Sequence, residues 1–175
     1  MKKIISLVLL ATLTVSCGSL FELLELKIDN DLTERIDVSI PKTAGNTGTF
    51  NLSETIDLRS GDFAEYVDKI TAVKINSFTY KFIDFVGNTD GTIPSGTLKF
   101  DSTEVGTINN LNVSKAVNKE TIFTISDATV ISKLENAFVN NTSTVITLSG
   151  NALSDAGPMD FKVEVNISLT ATIKE

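Results

Sequence analysis

The chain contains no histidine. Nucleophilic sites of the Ser-His-Asp and Cys-His kinds need an imidazole base, and most catalytic zinc sites need imidazole ligands, so neither class can be built here. Tryptophan is also missing, and Tyr66 and Tyr80 are the only tyrosines, which leaves the usual aromatic platform for sugars poorly supplied. Cysteine occurs once, at Cys17, so no disulfide can form within the chain. Stability must come from packing. Basic residues are in deficit, 15 against 22 acidic, and a surface of that sign repels nucleic acid and anionic lipid headgroups. With acids this plentiful, an enzyme working with carboxylates alone is one alternative, and it would need two acids of raised pKa converging in one cleft.

What the chain does have begins at its start. Met1, Lys2 and Lys3 are followed by an apolar run, Ile4 to Leu13, and by the small residues Thr14, Val15 and Ser16. That order is a secretory leader. The run is about half of the roughly 20 residues a spanning helix requires, so it targets the chain without anchoring it.

The segment "LTVSC" at 13 to 17 then resembles the lipobox of a bacterial lipoprotein precursor, which is cut just before a cysteine whose sulfur carries diacylglycerol. The resemblance covers the first seventeen residues. It implies a cleaved signal peptide over 1–16 and a lipidated N-terminus and short tether over 17–23 with Cys17 as the lipidated residue; it says nothing of the remainder, 24–175, which reads from its own length and patterning as a single β-rich domain. The chain departs from the pattern at Thr14, where leucine is usual; Leu13 stands one place earlier. Each buried methylene contributes about 0.8 kcal/mol, so two or three acyl chains hold such a protein at a membrane without a spanning helix. Gly18, in place of the aspartate associated with inner-membrane retention, implies the outer membrane. Glu22 is the one charged residue in "GSLFE", which favours the periplasmic face over the cell surface. Loss of Lys2 and Lys3 with the leader takes the formal charge from −7 to −9.

The rest is long enough for one domain with a real core. In "DFKVEVNISLTATIK", seven apolar residues from Phe161 to Ile173 alternate strictly with polar ones, the signature of a strand with one buried and one wet face. At about 3.3 Å per residue it exceeds the usual ~20 Å, so a bend, a bulge or service to two parts of a sheet is expected. "ERIDVSI", "FNLSETIDL", "TLKF" and "VITLSG" repeat the alternation, and "AVKINSFTYKFIDFVG" changes phase after Phe82, which predicts a bulge. Turns are expected at 44–48, 87–91 and 150–158, where Gly, Asn and Asp cluster. "DFAEYVDKI" and "SDATVISKLENAFVNN" have helical spacing, the first with Asp62 and Glu65 as a capping box, the second with Asp127 as N-cap and Asn140 or Asn141 as a left-handed stop. The expected fold is mainly β: an antiparallel β-sandwich or partly closed barrel with one or two short helices.

"DND" at 29–31 and "NTDGT" at 88–92 carry oxygen ligands of the kind calcium takes, but neither completes a loop signature, so no metal or other cofactor is expected. Asn51, Asn112, Asn140, Asn141 and Asn166 begin formal N-glycosylation triplets that read as ordinary polar surface in this setting. "DST" at 101–103 resembles the short O-glycosylation motif of Bacteroidota, which would place a sugar on Ser102. The expected function is non-enzymatic binding, to another envelope protein or to a polymer, by a module held to the membrane through its lipid. A carrier or chaperone for an apolar, lipid-like ligand is the other alternative, and it requires an open cavity among the inward-facing residues.

Overall fold

In the computed structural model, which describes residues 25–57, 63–141 and 143–174, the strictly alternating C-terminal segment becomes the middle of a sheet. The elements, in chain order, are β1 (Glu25–Ile40), β2 (Gly48–Asp57), β3 (Ile70–Gly87), β4 (Thr92–Phe100), β5 (Thr103–Asn112), α1 (Val113–Asn118), β6 (Ile122–Thr124), α2 (Ala128–Asn140), β7 (Ser143–Leu153) and β8 (Met159–Lys174). One sheet has the order β1-β8-β3-β6 and the other β2-β7-β4-β5, with every neighbouring pair antiparallel. Only β4 and β5 are consecutive strands within one sheet; each other connection passes from one sheet to the other. Two four-stranded sheets wound in this way are a jelly roll. The open sandwich is therefore the correct half of the sandwich-or-barrel expectation.

β8 pairs with β1 over sixteen consecutive residues, from Met159 opposite Ile40 to Lys174 opposite Glu25, with no break in register. The irregularity expected of so long a strand is carried by its other neighbour. β3 shifts register against β8 between Ile70 and Ala72, Ile75 and Ser77, and Ile83 and Val86. The second shift moves the buried set from Val73 and Ile75 to Phe78, Tyr80 and Phe82, and the third holds Asp84 at a φ of 53°. Bulges thus keep apolar side chains inward while the sheet twists. In the facing sheet, β4 shifts against β7 between Thr92 and Ser95, around Pro94, which has no N–H to give the ladder.

The inward faces meet in one apolar cluster. Phe78 of one sheet and Phe100 of the other stand edge to face with ring centroids 5.4 Å apart, and both are fully buried. α2 closes the core beside them. Its buried Leu134 and Phe138 lie one turn apart on one face, and Phe138 meets Phe100 at 6.0 Å. Burial of side chains this size is worth about 1.5–3 kcal/mol each, which fixes the helix to the sandwich. The Asp127 side chain accepts from the N–H groups of Thr129 and Val130, as an N-cap should.

Several expectations need correction. α2 ends at Asn141 in extended conformation, φ −127°, and not in a left-handed stop. Among the described residues of the segment expected to be a helix, Val67–Lys69 form a 3₁₀ turn, with Phe63 fully buried before it; Asp62, the expected cap, lies outside the described residues. Gly150 and Asn151 belong to β7, so the turn there covers only 154–158. α1 was not legible, because the Asn112 that begins a glycosylation triplet acts as N-cap, accepting from the Lys115 N–H at 2.8 Å.

Candidate binding surface

Strand directions give the sandwich two distinct ends. β1 starts at Glu25 beside Lys174 at the end of β8, so chain entry and the last described residue share one end, here called proximal. β1 then runs sixteen residues, about 50 Å at 3.3 Å each, to the distal end. There the loops 41–47, 88–91 and 154–158 are tied together around Ser154, which is fully buried. Its hydroxyl donates to the Gly157 carbonyl at 2.6 Å and accepts from Asn88 Nδ2 at 3.1 Å, while its N–H donates to Thr43 Oγ1 at 2.9 Å. Asp155 accepts from Thr43 Oγ1 and from the Gly45 N–H, and Asn112 Nδ2 donates to the Thr89 carbonyl. The distal loops are consequently cross-braced by side chains.

The outward face of the β1-β8-β3-β6 sheet carries the strongest electrostatic feature. Register places Arg35, Glu164, Lys81 and Ile122 in one row across all four strands. Glu164 is 7% exposed, and a carboxylate that dry requires compensation. Its Oε2 accepts from Arg35 Nε at 2.9 Å and Nη2 at 2.7 Å; its Oε1 lies 2.8 Å from Lys81 Nζ and accepts from Asn166 Nδ2. Hydrogen bonding to Lys81 and then to Arg35 outweighs burial and pulls the pKa down to about 2. With both oxygens occupied and the proton held off, Glu164 is unsuited to act as an acid or a nucleophile. It locks the row. In the next row Lys162 lies 3.4 Å from Asp84 and 3.8 Å from Asp37, an exposed arrangement of small energetic value.

A different acidic pair sits where the edge strands β1 and β2 face each other. Alternation puts the half-buried Glu34 on the side of β1 that carries Leu32 and Ile36, and Glu54 on the side of β2 that carries Leu52 and Ile56, where it remains exposed at the rim. Burial, then repulsion by Glu54, raises the Glu34 pKa. Inward charges on edge strands are a known device against edge-to-edge association.

The residues singled out from the sequence fall as follows. Cys17 lies outside the described residues. Ser102 is exposed at the tip of the two-residue hairpin between β4 and β5, at the proximal end. The preceding Asp101 has φ 48°, and its carboxylate accepts from Thr144 Oγ1 and the Val145 N–H, both at 2.9 Å. Asp29 to Asp31 lie within β1 and not in a loop, Asp29 accepting from Thr170 Oγ1 at 2.5 Å. In the 88–92 loop, Asn88 Oδ1 accepts from the Asp90 N–H. Among the described residues no three His, Cys, Asp or Glu side chains are placed to share a metal ion, and no helix is long and apolar enough to cross a membrane. The Glu164 row was missed. Its members are far apart in the chain, and only strand pairing unites them.

Fold and surface together define a jelly-roll sandwich with a braced loop end and a charge-locked sheet face. No protein-family model and no curated protein sequence matches the chain. Among solved structures it is similar to the decameric BFDV capsid protein, at 8% identity over 83% of this chain and 99% of that one, with a TM-score of 0.44. It is similar to Mud crab tombus-like virus at 10% identity, 87% and 84% coverage and TM-score 0.43, and to Desmodium yellow mottle tymovirus at 10% identity, 86% and 91% coverage and TM-score 0.35. Those scores are too low to transfer anything to this chain; the jelly-roll assignment rests on its own strand order.

Proposed function

We propose that the protein is a lipid-anchored, non-enzymatic binding module of the bacterial outer membrane, facing the periplasm and engaging an envelope protein or polymer. The observation that carries this reading is the two-ended build. Cys17 precedes β1 by eight residues, a tether of at most about 28 Å, and β1 enters at the proximal end. A lipid at Cys17 therefore keeps that end near the bilayer and presents the braced loops at 41–47, 88–91 and 154–158 outward. Loops set on a rigid scaffold are where binding residues concentrate. The contiguous apolar cluster formed by the inward side chains favours a module over a carrier, which would spend those residues on lining a cavity.

The test is a native mass spectrum of the protein extracted gently from its own membrane, alongside fractionation of Cys17→Ala. Extra mass on the N-terminal peptide, release of Cys17→Ala from membranes and no co-purifying apolar ligand are expected. An unmodified Cys17 defeats the anchor, and a dissociable lipid-sized mass favours the carrier.

A further inference from the structure

β6 is three residues long and ends its sheet, so among the described residues Ile122–Thr124 pairs with β3 on one side and with no strand on the other. Ile122 is 63% exposed, unusual for an isoleucine in a strand. An open depression lies to each side of it. The first, about 340 Å³, is walled by Phe82, Ile83 and Val117 and rimmed by Lys81, Asp84 and Glu120. The second, about 430 Å³, runs between β6 and β5 past Tyr80, Gly106, Phe123 and Ile125 to Asp127. Gly106 keeps it open, since a Cβ there would stand 3.3 Å from Ile125 Cδ1 and 3.4 Å from Tyr80 Cε1. Tyr80 lines this groove, and its hydroxyl has no hydrogen-bond partner among the described residues.

The rim is acidic. The carboxylate of Glu120, a residue held at φ 49°, has no ion-pair or hydrogen-bond partner among the described residues, and Asp84 shares Lys162 only through a surface pair. Lys81, the one cation in the strip, is already neutralised by Glu164. The chain's formal charge of −7 draws cations toward such a rim.

We propose that the strip along β6 docks an extended, basic segment of a partner protein, which adds as a strand beside Ile122–Thr124. One apolar side chain enters each depression, and lysine or arginine heads reach Glu120 and Asp84. Strand addition supplies main-chain hydrogen bonds, and the two depressions supply specificity. This names a surface and a partner chemistry for the binding module and rests on that reading.

The experiment is fluorescence anisotropy of the full mature chain with a labelled heptapeptide of alternating lysine and valine, against matched glutamate/valine and lysine/serine peptides. The lysine/valine peptide is expected to bind at least about tenfold more tightly than either, a gap of ~1.4 kcal/mol. Ile122→Lys and Glu120→Lys, both at exposed positions, should each weaken it by about tenfold while thermal midpoints stay unchanged. Equal binding of the lysine/serine peptide, or full binding by Ile122→Lys, overturns the proposal. A partner cross-linked in cells through a photoreactive residue at Asp90 in the distal loops, with no peptide binding at β6, also overturns it and leaves the module reading standing.

Discussion

Gly150 of β7 stands opposite Gly96 of β4, and a Cβ on Gly150 would lie 2.5 Å from the Ser95 carbonyl oxygen and 2.8 Å from Gly96 Cα. Both obstacles are backbone, so no rotamer change relieves them. Gly150→Ala is expected to destabilise the fold by about 1–3 kcal/mol through overpacking. Gly157, whose Cβ would meet nothing within 4 Å, is the contrast: Gly157→Ala should be neutral or stabilise by up to about 1 kcal/mol by restricting the unfolded chain. Urea unfolding of both variants measures the difference, and equal midpoints would remove the close-approach explanation.

The Glu164 row predicts a pH signature. Its folded pKa is about 2 against an ordinary 4.5, so the unfolded chain binds the proton more readily between those values. The contribution is fully present above pH 4.5 and is lost as pH falls toward 2. Glu164→Gln should flatten this part of the stability curve and cost on the order of 1–3 kcal/mol at pH 7, since Arg35 and Lys81 are left facing an uncharged partner. Solvent at the half-exposed Arg35 sets the lower end of that range. A Glu164→Gln chain that keeps the wild-type slope between pH 2 and 4.5 would show that another acid carries it.

The strands were readable because their alternation is local. Phe161 to Ile173 announce β8 without any partner, and Asp127 followed by a spaced apolar set announces α2. Gly150 misled for a physical reason: glycine marks turns and close backbone approaches alike, and only the neighbouring strand distinguishes them. Glu164 could be placed on the wet face of β8, but its burial depends on Arg35 and Lys81, more than eighty residues away in the chain. The edge groove along β6 was hidden for the same reason, since it exists only once β5, α1 and β6 are brought to the rim of β3.

Glu34 and Glu54 give the opposite pH dependence. The raised Glu34 pKa means the folded chain binds the proton more readily just above pH 4.5, so this site favours folding at acidic pH and opposes it once Glu34 ionises. Glu34→Gln should therefore raise stability at pH 7 and lose that gain as pH falls through the folded pKa. The double variant Glu34→Val with Glu54→Val goes further, turning two edge strands into unguarded apolar edges. Light scattering after size exclusion should detect concentration-dependent association of the double variant and a monodisperse Glu34→Gln. A monodisperse double variant would show that the inward charges are not what protects the edges.

The hairpin at Asp101 and Ser102 separates a structural residue from a candidate modification site. Asp101 adopts φ 48° and fastens the β4–β5 turn to β7 through Thr144 and Val145, so Asp101→Ala removes two hydrogen bonds and keeps the unfavourable φ. A loss of about 1–2 kcal/mol is expected. Asp101→Gly should recover part of it, because glycine relieves the backbone but not the lost bonds. Ser102 is exposed beside it and does not enter those bonds, so Ser102→Ala should leave unfolding unchanged. If Ser102 bears an O-linked sugar in the native host, its tryptic peptide carries additional hexose-containing mass, and both Ser102→Ala and Asp101→Ala abolish it, the first by removing the acceptor and the second by breaking the motif. An unmodified Ser102 peptide from native membranes would leave "DST" as a turn sequence, its aspartate explained by the hydrogen bonds to β7 alone.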